Sequence, residues 1–108
     1  MFIGKVVGSV VSTIKDEKVA ALRFQVVQEL DEHGKPRDKY VVAVDTVGAG
    51  FDDIVLFAQG SSARQTTLTD GRPIDAAIMA VIDSWDVGGE LVYSKEDLET
   101  VGWTVKDV

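Results

Sequence analysis

Few side chains in this 108-residue sequence have types and spacings that support chemistry. The segment GSSAR, residues 60–64, sets Ser61, Ser62 and Arg64 after an apolar run, a place where a nucleophile or an anion site can lie. A serine nucleophile needs a base and a group that orients it. The only histidine, His33, stands between Glu32 and Gly34 in a charged stretch and reads as a solvated turn residue. No phosphate-loop pattern occurs, and VGAGFD lacks the third glycine of the dinucleotide fingerprint. Gly48 and Gly50 read as turn glycines. A hard cation would have to rely on Asp52 with Asp53, or on Glu96, Asp97 and Glu99, and no calcium-loop pattern joins them. With no cysteine there is no thiolate ligand, nucleophile or disulfide. No catalytic residue, metal or cofactor is assigned.

Composition narrows the remaining classes. The length fits one domain, and 45% hydrophobic residues suffice for a core. No apolar run approaches the roughly 20 residues of a membrane span, and MFIGKVVGSVVS does not read as a signal peptide, so a cytosolic protein without membrane contact is expected. The net charge is −7, split as −2 over residues 1–82 and −5 over 83–108. Binding to a phosphate backbone calls for the opposite sign. The aromatics (Phe2, Phe24, Tyr40, Phe51, Phe57, Trp85, Tyr93 and Trp103) are scattered, and none has a basic cluster beside it. An OB-type module for single-stranded nucleic acid is therefore the alternative reading, and not the favoured one.

The elements that position these residues read as strands. Short runs rich in Val and Ile, separated by Gly, Asp and Pro clusters, predict five: about 1–14, 19–30, Tyr40–Val47, Ile54–Gln59 and about Ala76–Trp85. LDEHGKPRDK is a hairpin tip. The stretch from Gly60 to Pro73 has room for one helical turn, with Ser61 or Ser62 placed to cap it. Ser94 with acids at 96 and 97 and Gly102 predicts a second short helix over 95–101. The fold class is mainly β: a small five-stranded OB-like closed β-barrel with one short helical turn and a short C-terminal helix.

A barrel strand should alternate apolar and polar residues. The second strand reads that way, with Leu22, Phe24, Val26 and Leu30 opposite Arg23, Gln25 and Glu29. The others are apolar on both sides: Ile3, Val7 and Val11 against Phe2, Val6 and Val10, and Ile54 and Leu56 against Val55 and Phe57. Such strands need cover on both faces, which predicts an oligomer.

VVAVDTVGAGFDDIVLFAQGSSAR, then PIDAAIMAVIDS, together with the opening MFIGKVVGSVVST and LRFQVVQEL, resembles the EutN/CcmL family of bacterial microcompartment vertex proteins over residues 1 to about 84. The resemblance implies a non-enzymatic shell subunit that forms a cyclic homopentamer and caps five-fold vertices among hexagonal shell tiles. It divides the chain into a barrel shell domain, 1–85, and an acidic tail, 86–108, which packs on the barrel, reaches a neighbour or touches cargo. It also assigns a subunit or shell interface to Gly48, Ala49, Gly50 and Phe51, to Gly60, Ser61, Ser62, Ala63 and Arg64, and to Asp75. The small residues at 48–50 are expected to admit a neighbouring backbone, so that Ala49→Glu disturbs assembly and spares the monomer. Where the family commonly has Gly-Asp before its fourth strand, Phe51, Asp52 and Asp53 stand here.

Overall fold

Val55 and Phe57 alternate with Ile54 and Leu56, and the two pairs lie on opposite sides of a closed sheet. The computed structural model describes residues 1–11, 13, 22–72 and 74–96. Its barrel consists of β1 (Phe2–Val10), β2 (Phe24–Leu30), β3 (Pro36–Asp45), β4 (Ile54–Gln59) and β5 (Ala76–Val81). The order is β1-β2-β3-β5-β4, closed by β4 on β1. Neighbours are antiparallel except β3 and β5, which run parallel through Val44↔Ala77 and Asp45↔Ile78. This is the OB-like closed barrel expected, with one 3₁₀ turn at Gly60–Arg64.

Inside the barrel, Val6, Val27, Ala43, Ala49, Val55, Phe57, Ala76 and Ile78 form the core. Phe2 stacks on Phe57 with ring centroids 5.4 Å apart. Gly4 makes room for that stack. A Cβ there would collide with Val27 Cγ1 and lie 2.8 Å from Phe57 Cε1.

Two of the outer faces are closed by the chain itself. Over β4 and β5, Ala58 and Ala77 pack with Val44, Ala63 and Ile74 and with the flanking Leu22 and Phe24, so the 60–74 segment acts as a lid. Over β1 and β4, Ile54, Ile3 and Leu56 pack with Leu30, Ile82, Trp85 and Tyr93. The last two come from a hairpin absent from the sequence expectation, β6 (Ser84–Val87) and β7 (Glu90–Ser94). Its turn is Gly88-Gly89 at φ 60° and 85°, the positive-φ pair that a two-residue type I′ turn requires. Trp85 packs on Tyr93 at 5.5 Å and its indole N–H donates to the Glu32 carbonyl at 2.9 Å.

Other boundaries move for identifiable reasons. β1 ends at Val10, and β2 begins at Phe24. β3 starts at Pro36 because its charged lead-in still pairs with β2, Leu30 opposite Pro36, across a bulge. It ends at Asp45, whose carboxylate organises the next loop. β5 stops at Val81; after Ile82 donates to the Ile54 carbonyl the chain turns into the hairpin. No serine caps the 3₁₀ turn: Gln59 occupies the cap position with extended backbone and no side-chain bond. The helix expected over 95–101 lies, beyond Glu96, outside the described residues. The hairpin straddles the boundary drawn at 85 and packs on its own barrel.

Candidate assembly interface

The loop from Asp45 to Asp53 is tied down at nearly every residue. Asp45 Oδ1 accepts the backbone N–H groups of Val47 (3.0 Å), Gly48 (2.9 Å) and Ala49 (3.2 Å). Gln25 Nε2 donates to the Ala49 carbonyl at 2.8 Å. Gly48 takes φ 77°, with open space where a Cβ would stand, so its glycine serves the backbone conformation. The Ala49 methyl is 2% exposed and belongs to the subunit's own core. That corrects the expectation that Ala49→Glu would spare the monomer, because the carboxylate would enter the barrel interior.

Beyond Ala49 the loop is pinned to β1. Gly50 N–H donates to Asp53 Oδ2 at 2.7 Å, Asp52 N–H to the Val6 carbonyl and Val6 N–H to the Asp53 carbonyl, both at 2.9 Å. Lys5 Nζ lies 3.1 Å from Asp52 Oδ1 and helps hold Asp52 at φ 71°, in the left-handed region a non-glycine residue rarely adopts. Between these anchors Phe51 is 71% exposed.

The second expected cluster gathers at one loop base. Gly60 N–H donates to the Asp75 carbonyl at 2.8 Å, and Arg64 Nη1 donates to the Ile74 carbonyl at 2.8 Å. Ala63 is buried against Ile74, while Ser61, Ser62 and the Asp75 side chain face outward. The Arg64 fork is thus engaged inside its own chain. His33 is at the β2–β3 tip, 3.7 Å from Glu32 Oε1, and no hydrogen bond joins it to Ser61 or Ser62 among the described residues. Nothing there assembles a nucleophile and a base.

A third surface went unassigned in the sequence. The polarity of β2 is the reverse of the expectation: Val27 with Gln25 faces inward, and Val26 faces outward with Val42 and Gly8 on its flanking strands. Gln25 is tolerated inside because the Ala49 carbonyl satisfies it. Tyr40 and Val42, 56% and 51% exposed, lie beside Val26 on the outer face of β2 and β3, next to Phe24 and Val44, which the lid covers. The signal was in VVAV at 41–44, which is apolar on both pleat faces.

The fold is a closed OB-like barrel, and among the described residues no nucleophile and base are brought together. Residues 1–83 match the family model described as "Ethanolamine utilisation protein EutN/carboxysome". The carboxysome shell vertex protein CcmL of Gloeobacter violaceus is 44% identical over 90% of this chain and 97% of its own. Its solved structure superposes with a TM-score of 0.85, covering 90% of this chain and all of that one. The pentameric microcompartment shell protein GrpN of Rhodospirillum rubrum is 42% identical over 81% of this chain and 99% of its own, with a TM-score of 0.74. The chain belongs to the EutN/CcmL family of bacterial microcompartment vertex proteins, whose members are structural and not enzymatic.

Proposed function

We propose that this chain closes head to tail into a homopentamer that caps the five-fold vertices of a bacterial microcompartment shell in the cytoplasm. The observation that carries the reading is the exposed apolar pair Tyr40 and Val42 on the outer side of β3, beside Val26 of β2. A head-to-tail contact closes a ring when its rotation is a whole fraction of a turn, here one fifth. Flat layers of hexagonal tiles cannot close on themselves, and five-fold units supply the curvature.

The Gly48–Phe51 loop, the Gly60–Arg64 turn and Asp75 are proposed to meet neighbouring subunits or the hexagonal tiles. Within that assignment Ala49 and Ala63 act by shaping the backbone, since their side chains are buried. Ser61, Ser62 and Asp75 have side chains directed outward. Residues 97–108 are the part of the acidic tail left for a cargo contact, the hairpin being occupied with its own barrel.

Each copy carries −7, so ring closure works against self-repulsion that salt screens over a Debye length of about 8 Å at physiological ionic strength. Native mass spectrometry across ionic strength tests the reading. A closed species of five 11.7 kDa chains, strengthened by added salt, is the expected result. A chain that stays monomeric at every salt concentration overturns it.

A further inference from the structure

We propose that the subunit contact of the ring is a knob-and-face joint: Phe51 of one copy seats on the outer β2–β3 face of the next, against Val26, Tyr40 and Val42. The inference rests on the pentameric reading and goes further by naming both halves of the contact.

The face carries a mark of close approach from outside. Across three strands, Gly8 pairs with Val26 and Val26 with Val42, so the row dips where Gly8 has no side chain. Among the described residues nothing crowds a side chain at that position. Its φ is not positive, and an added Cβ would meet Val26 at an ordinary 3.8 Å. A glycine inside a strand weakens it and often marks a bulge or a place where another molecule comes near. β1 does shift register here, between Val6 and Gly8, yet without the left-handed φ that would require glycine.

The knob has the opposite character. Phe51 projects from a loop already immobilised by the Asp45, Asp52, Asp53 and Lys5 contacts, so seating it loses little conformational freedom. Aromatic side chains presented in this way are the usual anchors of protein interfaces. The knob lies at the seam of β1 and β4 and the face is centred on β2 and β3. The contact is therefore between two different surfaces, and it propagates from copy to copy as a ring requires.

The experiment is complementation between two broken halves. Phe51→Glu removes the knob and keeps the face; Val42→Glu removes the face and keeps the knob. Both positions are exposed, so each variant is expected to keep the wild-type circular dichroism spectrum and to lose the five-chain species. Mixed in equal amounts, they should form a two-chain species that grows no further, because each variant's remaining surface has no intact complement. Tyr40→Glu, at a position 56% exposed, serves as a second face variant should Val42→Glu fail to fold. A wild-type ring that survives Phe51→Glu, or a mixture that yields only monomers, overturns the joint while leaving the pentamer standing. A wild-type protein that forms no ring overturns the pentameric reading itself.

Discussion

The outer side of β1 and β4 and the outer side of β2 and β3 begin from similar sequence and end differently. Ile3, Ile54 and Leu56 on the first are covered by Trp85 and Tyr93 of the hairpin. Tyr40 and Val42 on the second stay 56% and 51% exposed, with Val26 half-buried beside them. Burying a large apolar side chain is worth roughly 1.5–3 kcal/mol, so cover on either side is favourable. What differs is the source of the cover. Among the described residues, the segment after β4 and the hairpin after β5 both fold over the outside next to β4. The remaining face is where a second molecule gains most by docking.

The sharpest break of this comparison lies within one loop. Ala49 and Phe51 stand two residues apart, one 2% exposed and the other 71%. Ala49→Glu puts an unpaired carboxylate into the barrel core, at a cost of at least about 4 kcal/mol. That is most of the stability of a small domain. The expected outcome is loss of the folded monomer itself, read as an unfolded circular dichroism spectrum or insoluble expression. A folded Ala49→Glu monomer would show that the loop is held less firmly than its hydrogen bonds imply. The contrast with Phe51→Glu then separates a residue that builds the loop from one that the loop presents.

A smaller effect tests the covered side. Trp85→Ala removes the packing against Tyr93, the cover over Ile54 and Leu56, and the bond to the Glu32 carbonyl. Because Trp85 is only partly buried, the loss should be roughly 2–3 kcal/mol, below that of a fully buried tryptophan. The midpoint of chemical denaturation at fixed protein concentration measures it. Exposing this second apolar face should also increase aggregation, whereas a change of less than about 0.5 kcal/mol would mean that the hairpin is ornamental.

Legibility followed physical cause. Runs such as IVLFAQ and AAIMAV are short, β-branched and bounded by glycine or aspartate, and they stand as β4 and β5 within a few residues of where the pattern placed them. The closed OB-like barrel was legible in five such runs with one long excursion, and the strand order came from the structure. The hairpin at 84–94 was hidden because the excess of acids set the segment apart as a tail, although Gly88-Gly89 between DV and EL carried the turn signal. The faces of β2 were misassigned because hydrophobicity alone cannot reveal that Gln25 is buried and satisfied by a carbonyl from another strand's loop. The family resemblance pointed to the loop around Ala49, and the hydrophobic pattern missed Tyr40 and Val42. Which of two apolar faces stays bare depends on where distant segments fold.

The finest test concerns the latch between the two regions. Glu32, whose carbonyl accepts the Trp85 indole N–H, sits in the β2–β3 tip. Asp31 Oδ1 organises that tip by accepting the N–H groups of His33 and Lys35, both at 2.9 Å. The Lys35 N–H, foremost, lowers the Asp31 pKa below its ordinary 3.8; the His33 N–H and the charges of His33 and Arg37 add to this, against a desolvation effect that raises it. A depressed carboxylate stabilises the tip above pH 3.8, and the contribution is lost as pH falls through the lower folded value. Protection of the Trp85 indole N–H, measured as its exchange rate relative to that of a free indole at the same pH, should therefore fall only below pH 3.8. Asp31→Ala should bring that loss of protection to neutral pH, where the wild-type tip is intact. If exchange at Trp85 is the same in both proteins throughout, the tip does not control the latch, and the hairpin holds the β1–β4 face by apolar packing alone.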